Sequence, residues 1–143
     1  MALKKIGAIL LTAVVLCTSF MVSAFAATPV ENEISPYYEI AGMLQSNLSI
    51  SGQTAYCTSE GSGTDAVKIT VEQYLEKQGF LWLWFGVDDA SWTTTVYRSA
   101  ISFYNTKYNL SNGKYRLKSV FTLTDSTGKT ETLTIYSSEK QVG

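Results

Sequence analysis

Carboxylates are the residues of this sequence with the clearest capacity for catalysis. Asp88 and Asp89 form an adjacent acidic pair. A glycoside hydrolase needs two carboxyl groups that face each other across roughly 5 to 9 Å, whereas neighbouring residues on a strand point to opposite faces. We therefore interpret the pair as a solvated turn. The chain has no His, which excludes Ser-His-Asp and Cys-His catalysis. A hydrolase that uses carboxylates alone is the enzymatic alternative.

A cation site is the second chemistry that acidic residues could provide. Glu60 and Asp65 enclose a stretch of Gly and Ser that predicts a loop. A calcium ion takes about six to eight oxygen ligands, and two carboxylates fall short of that number. The chain also lacks a Cys-x-x-Cys pair and a Gly-rich phosphate loop. We therefore expect no metal and no cofactor.

Aromatic side chains offer a binding site instead. Trp82, Trp84 and Trp92 lie close together in the chain and are the candidate ligand-binding residues. An exposed indole presents a flat apolar face with a polar edge, which suits a sugar ring or a protein partner. The alternative is that these rings pack in the core or over a sheet edge.

The apolar run at residues 80–85 must position two of these rings. It is too short to span a membrane, and its composition predicts a strand. Alternation along that strand places one set of side chains outward and the other in the core. The predicted outward set is Phe80, Trp82 and Trp84, and the predicted core set is Leu81, Leu83 and Phe85.

Overall charge and composition exclude further classes of protein. Eleven basic residues face 12 acidic ones, for a net charge of −1, so no basic surplus is available to follow a nucleic acid backbone. Aromatics make up 13% of the 143 residues, which is unlike a disordered chain. We expect one domain with no nucleic acid partner.

The N-terminus has the three regions of a secretory signal. Lys4 and Lys5 precede an apolar run at residues 6–22, and Ala24-Phe25-Ala26 follows as a cleavage site. A membrane anchor would need about 20 apolar residues without such a site. We therefore predict a signal peptide at residues 1–26, secretion, and a mature chain that starts at Ala27 and has no membrane association.

The mature chain is predicted to fold into a single domain after a short leader. Residues 27–38 carry both prolines and little periodicity, which indicates a flexible leader. Residues 39–143 show short alternating segments between turn signals, which is typical of a β-sandwich. Residues 65–79 fit either a strand or a helix, and the β-branched run inside them favours a strand. Cys57 is the one Cys left after cleavage, and we expect it to be buried and reduced in a monomer.

The C-terminal third predicts a hairpin whose loop length follows from parity. Leu117, Phe121 and Leu123 have odd numbers, as do Leu133 and Ile135. A loop of odd length pairs odd residues with odd residues and keeps one apolar face. We predict a three-residue loop, Ser126-Thr127-Gly128, with Gly128 in the left-handed conformation.

The segment Gly113-Lys-Tyr-Arg-Leu117 resembles the tyrosine corner of immunoglobulin-like sandwiches. The resemblance implies that the Tyr115 hydroxyl caps an upstream backbone group, and that Cys57 and Leu117 occupy the two core cysteine positions. The Lys-Lys signal, the segment from Asn47 to Gly52, the Trp-bearing middle and the Gly-x-Tyr-Arg hairpin together give a layout that is similar to small secreted proteins of Gram-positive, Clostridia-like bacteria. It implies an all-β fold, an immunoglobulin-like antiparallel β-sandwich, and carries over no catalytic residue.

These observations support a secreted, non-catalytic β-sandwich that binds a glycan or a protein through an aromatic strand face. A structural protein without a small ligand, and a glycoside hydrolase, are the alternatives.

Overall fold

The computed structural model describes residues 38–143. The predicted signal peptide and its cleavage before Ala27 lie outside the described residues, as does nearly all of the predicted leader. Among the residues that are described, no helix is long and apolar enough to cross a membrane.

Two antiparallel sheets form the fold, so the predicted all-β sandwich is confirmed. A three-stranded sheet has the order β1-β2-β5, and a five-stranded sheet has the order β4-β3-β6-β7, with β8 paired to β6. The strands are β1 (Ala41–Ser51), β2 (Thr54–Gly63), β3 (Ala66–Gln78), β4 (Trp84–Val96), β5 (Ala100–Lys107), β6 (Gly113–Asp125), β7 (Thr130–Tyr136) and β8 (Lys140–Val142).

The strand order is that of an immunoglobulin-like sandwich. If β1, β2 and β5 take the places of strands A, B and E, then β4, β3, β6 and β7 take those of C′, C, F and G. Tyr115 stands near the start of β6, and its hydroxyl donates to the Ser111 carbonyl oxygen at 2.7 Å. Cys57 on β2 and Leu117 on β6 are both buried in one apolar cluster. The predicted tyrosine corner is therefore confirmed.

Alternation decides which residues form the core. From Ile69 to Leu75 in β3 and from Tyr115 to Leu123 in β6, every second side chain points inward and is buried. The ambiguous residues 65–79 accordingly form a strand, as their β-branched residues predicted. The predicted loop at residues 60–65 is shorter than expected, because β2 continues to Gly63 and the turn to β3 follows directly.

A belt of polar side chains divides the core into two apolar clusters. In four strands, the inward position between the clusters is polar: Ser46 on β1, Ser59 on β2, Gln73 on β3 and Ser119 on β6. Hydrogen bonds of 2.7 Å link Ser46 to Ser119, Ser119 to Ser59, and Gln73 to Ser59. The Asn105 side-chain amide donates to the Gln73 side-chain oxygen Oε1 at 2.8 Å. No buried side-chain nitrogen or oxygen in the described part of the chain lacks a partner.

The β6–β7 hairpin has the predicted loop. Leu133 lies opposite Phe121 and Thr130 opposite Thr124, so residues 126–128 form the three-residue loop between Asp125 and Lys129. Gly128 has φ +88°, in the left-handed region. Asp125 accepts from the Thr127 hydroxyl and from the backbone amides of Thr127 and Lys129, and the Thr127 contact is the main reason that the pKa of its carboxyl is lowered.

Candidate functional site

The connection between β3 and β4 is a tight turn that carries large apolar side chains. Strand β3 ends at Gln78 and β4 begins at Trp84, with a single helical turn at Phe80–Trp82 between them. The Gly79 amide donates to the Leu83 carbonyl oxygen at 2.8 Å, and the Leu83 amide donates to Phe80 at 3.3 Å. The predicted continuous strand at residues 80–85 is therefore wrong.

Two consecutive left-handed residues are the physical reason. Leu81 has φ 56° and Trp82 has φ 58°, and such a conformation reverses the chain and ends the alternation of a strand. Each such residue costs about 1–2 kcal/mol when it is neither Gly, Asn nor Asp. The turn therefore holds Leu81 and Trp82 outward at a cost in stability.

The turn exposes the apolar side chains that it carries. Phe80 is 81% exposed and Trp82 is 77% exposed, and more than half of the surface of Leu81, Leu83 and Phe85 is accessible. We call residues 79–85 the apolar hairpin tip. The prediction that Leu81, Leu83 and Phe85 lie in the core is wrong. Leu81 and Leu83 belong to the turn that precedes β4, and Phe85 lies within β4 but stays exposed.

The structure does not gather the three predicted tryptophans on one face. Trp82 lies exposed on the hairpin tip. Trp84 is opposite Gln78, and Trp92 is opposite the fully buried Gln73. Directly opposed residues share a face of the sheet, so Trp92 turns toward the interior, where it packs against an apolar cluster. Of the three, Trp82 alone stands free for a partner within the described residues.

Trp84 belongs to a stack on the outer face of the five-stranded sheet. The Arg116 guanidinium lies 4.3 Å from the Trp84 ring centroid and 4.1 Å from the Tyr136 ring centroid. Its Nε atom donates to a Glu76 carboxylate oxygen at 2.6 Å. Half-buried cation–π contacts of this kind stabilise a protein by about 1 kcal/mol each. Trp84 therefore has a structural partner, and the residue is half-buried.

A cleft of about 450 Å³ lies beside the hairpin tip. Its wall consists of the β3–β4 hairpin on one side and the end of β5 with the loop before β6 on the other. Its lining residues are Lys77, Gln78, Gly79, Phe85, Gly86, Val87, Asp88, Lys107, Asn109, Leu110, Ser111 and Tyr115. The cleft therefore combines apolar surface with hydrogen-bonding groups, as small-ligand sites do.

Gly79 and Phe85 join the tip to the cleft. A side chain at Gly79 would meet the Phe85 ring at 2.8 Å, so the glycine allows this ring to lie over the start of the turn. Phe85 consequently belongs both to the exposed tip and to the cleft wall. Gly79 and Phe85 are thus the two residues that the hairpin tip and the cleft share.

Three of the four acidic residues named in the sequence occupy positions other than those predicted, and the fourth, Asp65, lies in the turn between β2 and β3 as expected. Asp88 and Asp89 lie in an irregular part of β4. Gly86 pairs with Glu76 of β3 and Ser91 pairs with Tyr74, so the residues between Gly86 and Ser91 leave the regular pairing. They do not form a turn after the strand. Asp88 lines the cleft. Asp89 has a left-handed backbone conformation, with φ 55°. Glu60 lies within β2 and accepts from Ser102. The described part of the chain has no group of three potential metal-ligating residues.

Sequence reasoning missed the cleft because residues from distant segments form it. Lys77 and Lys107 are 30 positions apart in the chain, and only the packing of two sheets brings them to one hollow. A signal for the hairpin tip did exist: Gly79 and Gly86 enclose the apolar run, and glycines at both ends favour a reversal of the chain.

Comparison with known proteins yields little. No family model and no curated protein matches the chain. Two crystal structures of wild-type OgpA from Akkermansia muciniphila are similar at 12% identity. The first match has a TM-score of 0.38 and spans 77% of this chain and 31% of the OgpA chain. The second has a TM-score of 0.39 and spans 82% of this chain and 33% of the OgpA chain. The chain thus spans about a third of the length of these structures.

Proposed function

We propose that this chain is a secreted, non-catalytic binding module that holds an extracellular glycan at the apolar hairpin tip and the adjoining cleft. The observation that carries the proposal is the exposure of Phe80, Trp82 and Phe85 beside a cleft of mixed polarity. Sugars present apolar C–H faces and hydroxyl groups on one molecule, and aromatic rings next to hydrogen-bonding groups complement both.

The conformation of the turn supports a binding role. Leu81 and Trp82 adopt left-handed backbone angles that would cost less with Gly or Asn in their place. Burial does not repay that cost, because both side chains are mostly exposed. Strain of this kind is concentrated at functional sites, and apolar patches on soluble proteins mark interaction surfaces.

A protein partner is the second candidate, favoured by a specific pair of side chains. Leu81 and Leu83 are exposed on the tip next to the aromatic rings. Aliphatic side chains contribute to hydrophobic protein interfaces, whereas they lack the flat face that suits a sugar ring.

A glycan microarray with three forms of the protein tests the proposal. We expect the wild type to bind a subset of glycans and Trp82→Ala to lower that affinity at least about tenfold. Tyr97→Ala is the matched control, because Tyr97 is 80% exposed and follows the opposite end of β4. It should bind like the wild type. Absence of glycan binding, or equal loss in both variants, would reject the proposal and leave the protein-partner candidate.

A further inference from the structure

The residues that line the cleft include two lysines, Lys77 and Lys107, whose charges have no role in the binding proposed for the hairpin tip. Inward-facing residues of β3 run through Val71, Gln73 and Leu75, and Lys77 is the next member of that row. On β5 the inward row runs through Ile101 and Phe103 and ends at Lys107. Each sheet therefore contributes one lysine to the same end of the sandwich, and both line the cleft.

Both ammonium groups lack a carboxylate partner in the described structure. Ion pairs within 4.0 Å join Lys114 to Glu139, Arg116 to Glu76 and Lys129 to Glu39, and neither Lys77 nor Lys107 takes part in one. Lys77 Nζ donates to the Ser111 hydroxyl at 2.7 Å, which uses one of its three donors. Asp88 is the single carboxylate among the lining residues. The lining thus has a net positive charge.

Apolar and neutral polar groups complete the same hollow. The Phe85 ring and the Leu110 and Val87 side chains give it an apolar wall, and Asn109 and Gln78 add amide groups. The hydroxyl of the buried Tyr115 donates to the Ser111 carbonyl oxygen, and Lys77 Nζ lies 5.8 Å from the centroid of the Tyr115 ring. Lys77 is therefore held in place by Ser111 and Tyr115, and its charge is directed to the cleft.

We propose that this cleft binds a sugar residue that bears a carboxylate, with the carboxylate between Lys77 and Lys107. This inference rests on the proposed glycan-binding function and specifies its ligand. Charge-assisted hydrogen bonds to a carboxylate are roughly twice as strong as neutral ones, and the apolar wall at Phe85 complements the C–H face of the ring. The volume of about 450 Å³ lies within the range of about 300–1,000 Å³ that is typical of ligand sites.

NMR titration of the isotope-labelled protein with four monosaccharides tests the inference. D-glucuronate and D-galacturonate are the carboxylated probes, and D-glucose and D-galactose are the neutral counterparts. We expect shifts at cleft residues, with the carboxylated sugars binding about tenfold more tightly than the neutral ones. This preference should weaken with added salt.

Lysine variants locate the carboxylate. Lys107→Met and Lys77→Met each keep an apolar stem and remove the charge, so either should reduce the preference for the carboxylated sugar at least about fivefold. Lys118→Met is the control, because Lys118 lies over Tyr74 at 5.6 Å and does not line the cleft. It should leave the preference unchanged.

The outcomes separate this inference from the proposed function. Equal affinity for charged and neutral sugars overturns the inference and leaves glycan binding intact. Shifts outside the cleft, or no monosaccharide binding, also overturn it. In those cases the microarray comparison of Trp82→Ala with Tyr97→Ala still decides the proposed function independently.

Discussion

The hydroxyl groups of Ser59 and Ser119 lie 2.7 Å apart, and they belong to different sheets of the sandwich. Ser119 also bonds to Ser46 at 2.7 Å, and Ser59 accepts from Gln73. The contact is fully buried on both sides. It therefore fixes how the two sheets face each other, since a shift of either strand would leave buried hydroxyls without partners.

Loss of the central hydroxyl should destabilise the fold. Ser119→Ala removes the bonds to Ser46 and Ser59 and leaves those groups with fewer partners. We expect the free energy of unfolding to fall by about 1–3 kcal/mol, measured by urea denaturation. Thr122→Ala is the control, because the Thr122–Thr132 contact is exposed, and it should change the value by less than about 0.5 kcal/mol. Equal effects would contradict a structural role for the belt.

Gly128→Val should destabilise the β6–β7 hairpin through backbone strain. Gly128 has φ +88° and no heavy atom near the position of a Cβ, so the cost comes from conformation alone. We expect a loss of roughly 1 kcal/mol or more, because a β-branched residue resists positive φ. Gly86→Ala is the control, since Gly86 also has open space around it and lacks a positive φ. Thermal denaturation of both variants measures the difference, and equal melting temperatures would contradict the explanation.

The sequence predicts the β6–β7 hairpin correctly and the apolar hairpin tip wrongly, because residue types and periodicity report only local conformational preferences. Around Gly128, the turn residues and the parity of the flanking strands agree, so local chemistry determines the loop. At Leu81 and Trp82, the residue types favour a strand, whereas the backbone of the structure reverses direction there. The spacing of apolar residues does not reveal two consecutive left-handed residues when neither of them is Gly or Asn.

Polar core positions and the cleft depend on tertiary packing in a similar way. Ser59, Gln73 and Ser119 interrupt the apolar alternation, and each becomes acceptable in the core only when the others are brought beside it. The sequence therefore predicts the sandwich and the tyrosine corner, whereas the belt and the paired Lys77 and Lys107 follow from the packing of the sheets.

Alkaline pH should destabilise the protein through Cys57. Burial raises the pKa of its thiol from an ordinary value of 9.0 to about 12. Above pH 9 the unfolded chain loses this proton while the folded chain keeps it, so stability is full below pH 9 and declines up to pH 12. The slope is about 1.4 kcal/mol per pH unit.

Urea denaturation between pH 8 and pH 11 measures this effect, with Cys57→Ala as the reference. The variant loses buried atoms and is less stable overall, but its pH dependence should be flatter. Parallel curves for the two proteins would contradict the role of the thiol. A thiol reagent should also label the wild type slowly in buffer and rapidly in denaturant, because Cys57 is 1% exposed.

The three tryptophans should differ in their contribution to stability, and this difference tests their placement. Trp82→Ala should leave the free energy of unfolding within about 0.5 kcal/mol of the wild type, because the ring is exposed. Trp84→Ala removes one side of the Arg116 stack and should cost about 1–2 kcal/mol. Trp92→Ala removes a ring packed against the core and should cost about 2–3 kcal/mol, below the roughly 3–5 kcal/mol of a fully buried ring. Calorimetry of the three variants checks this order, and a large loss for Trp82→Ala would place that ring inside the fold and remove it from the proposed binding surface.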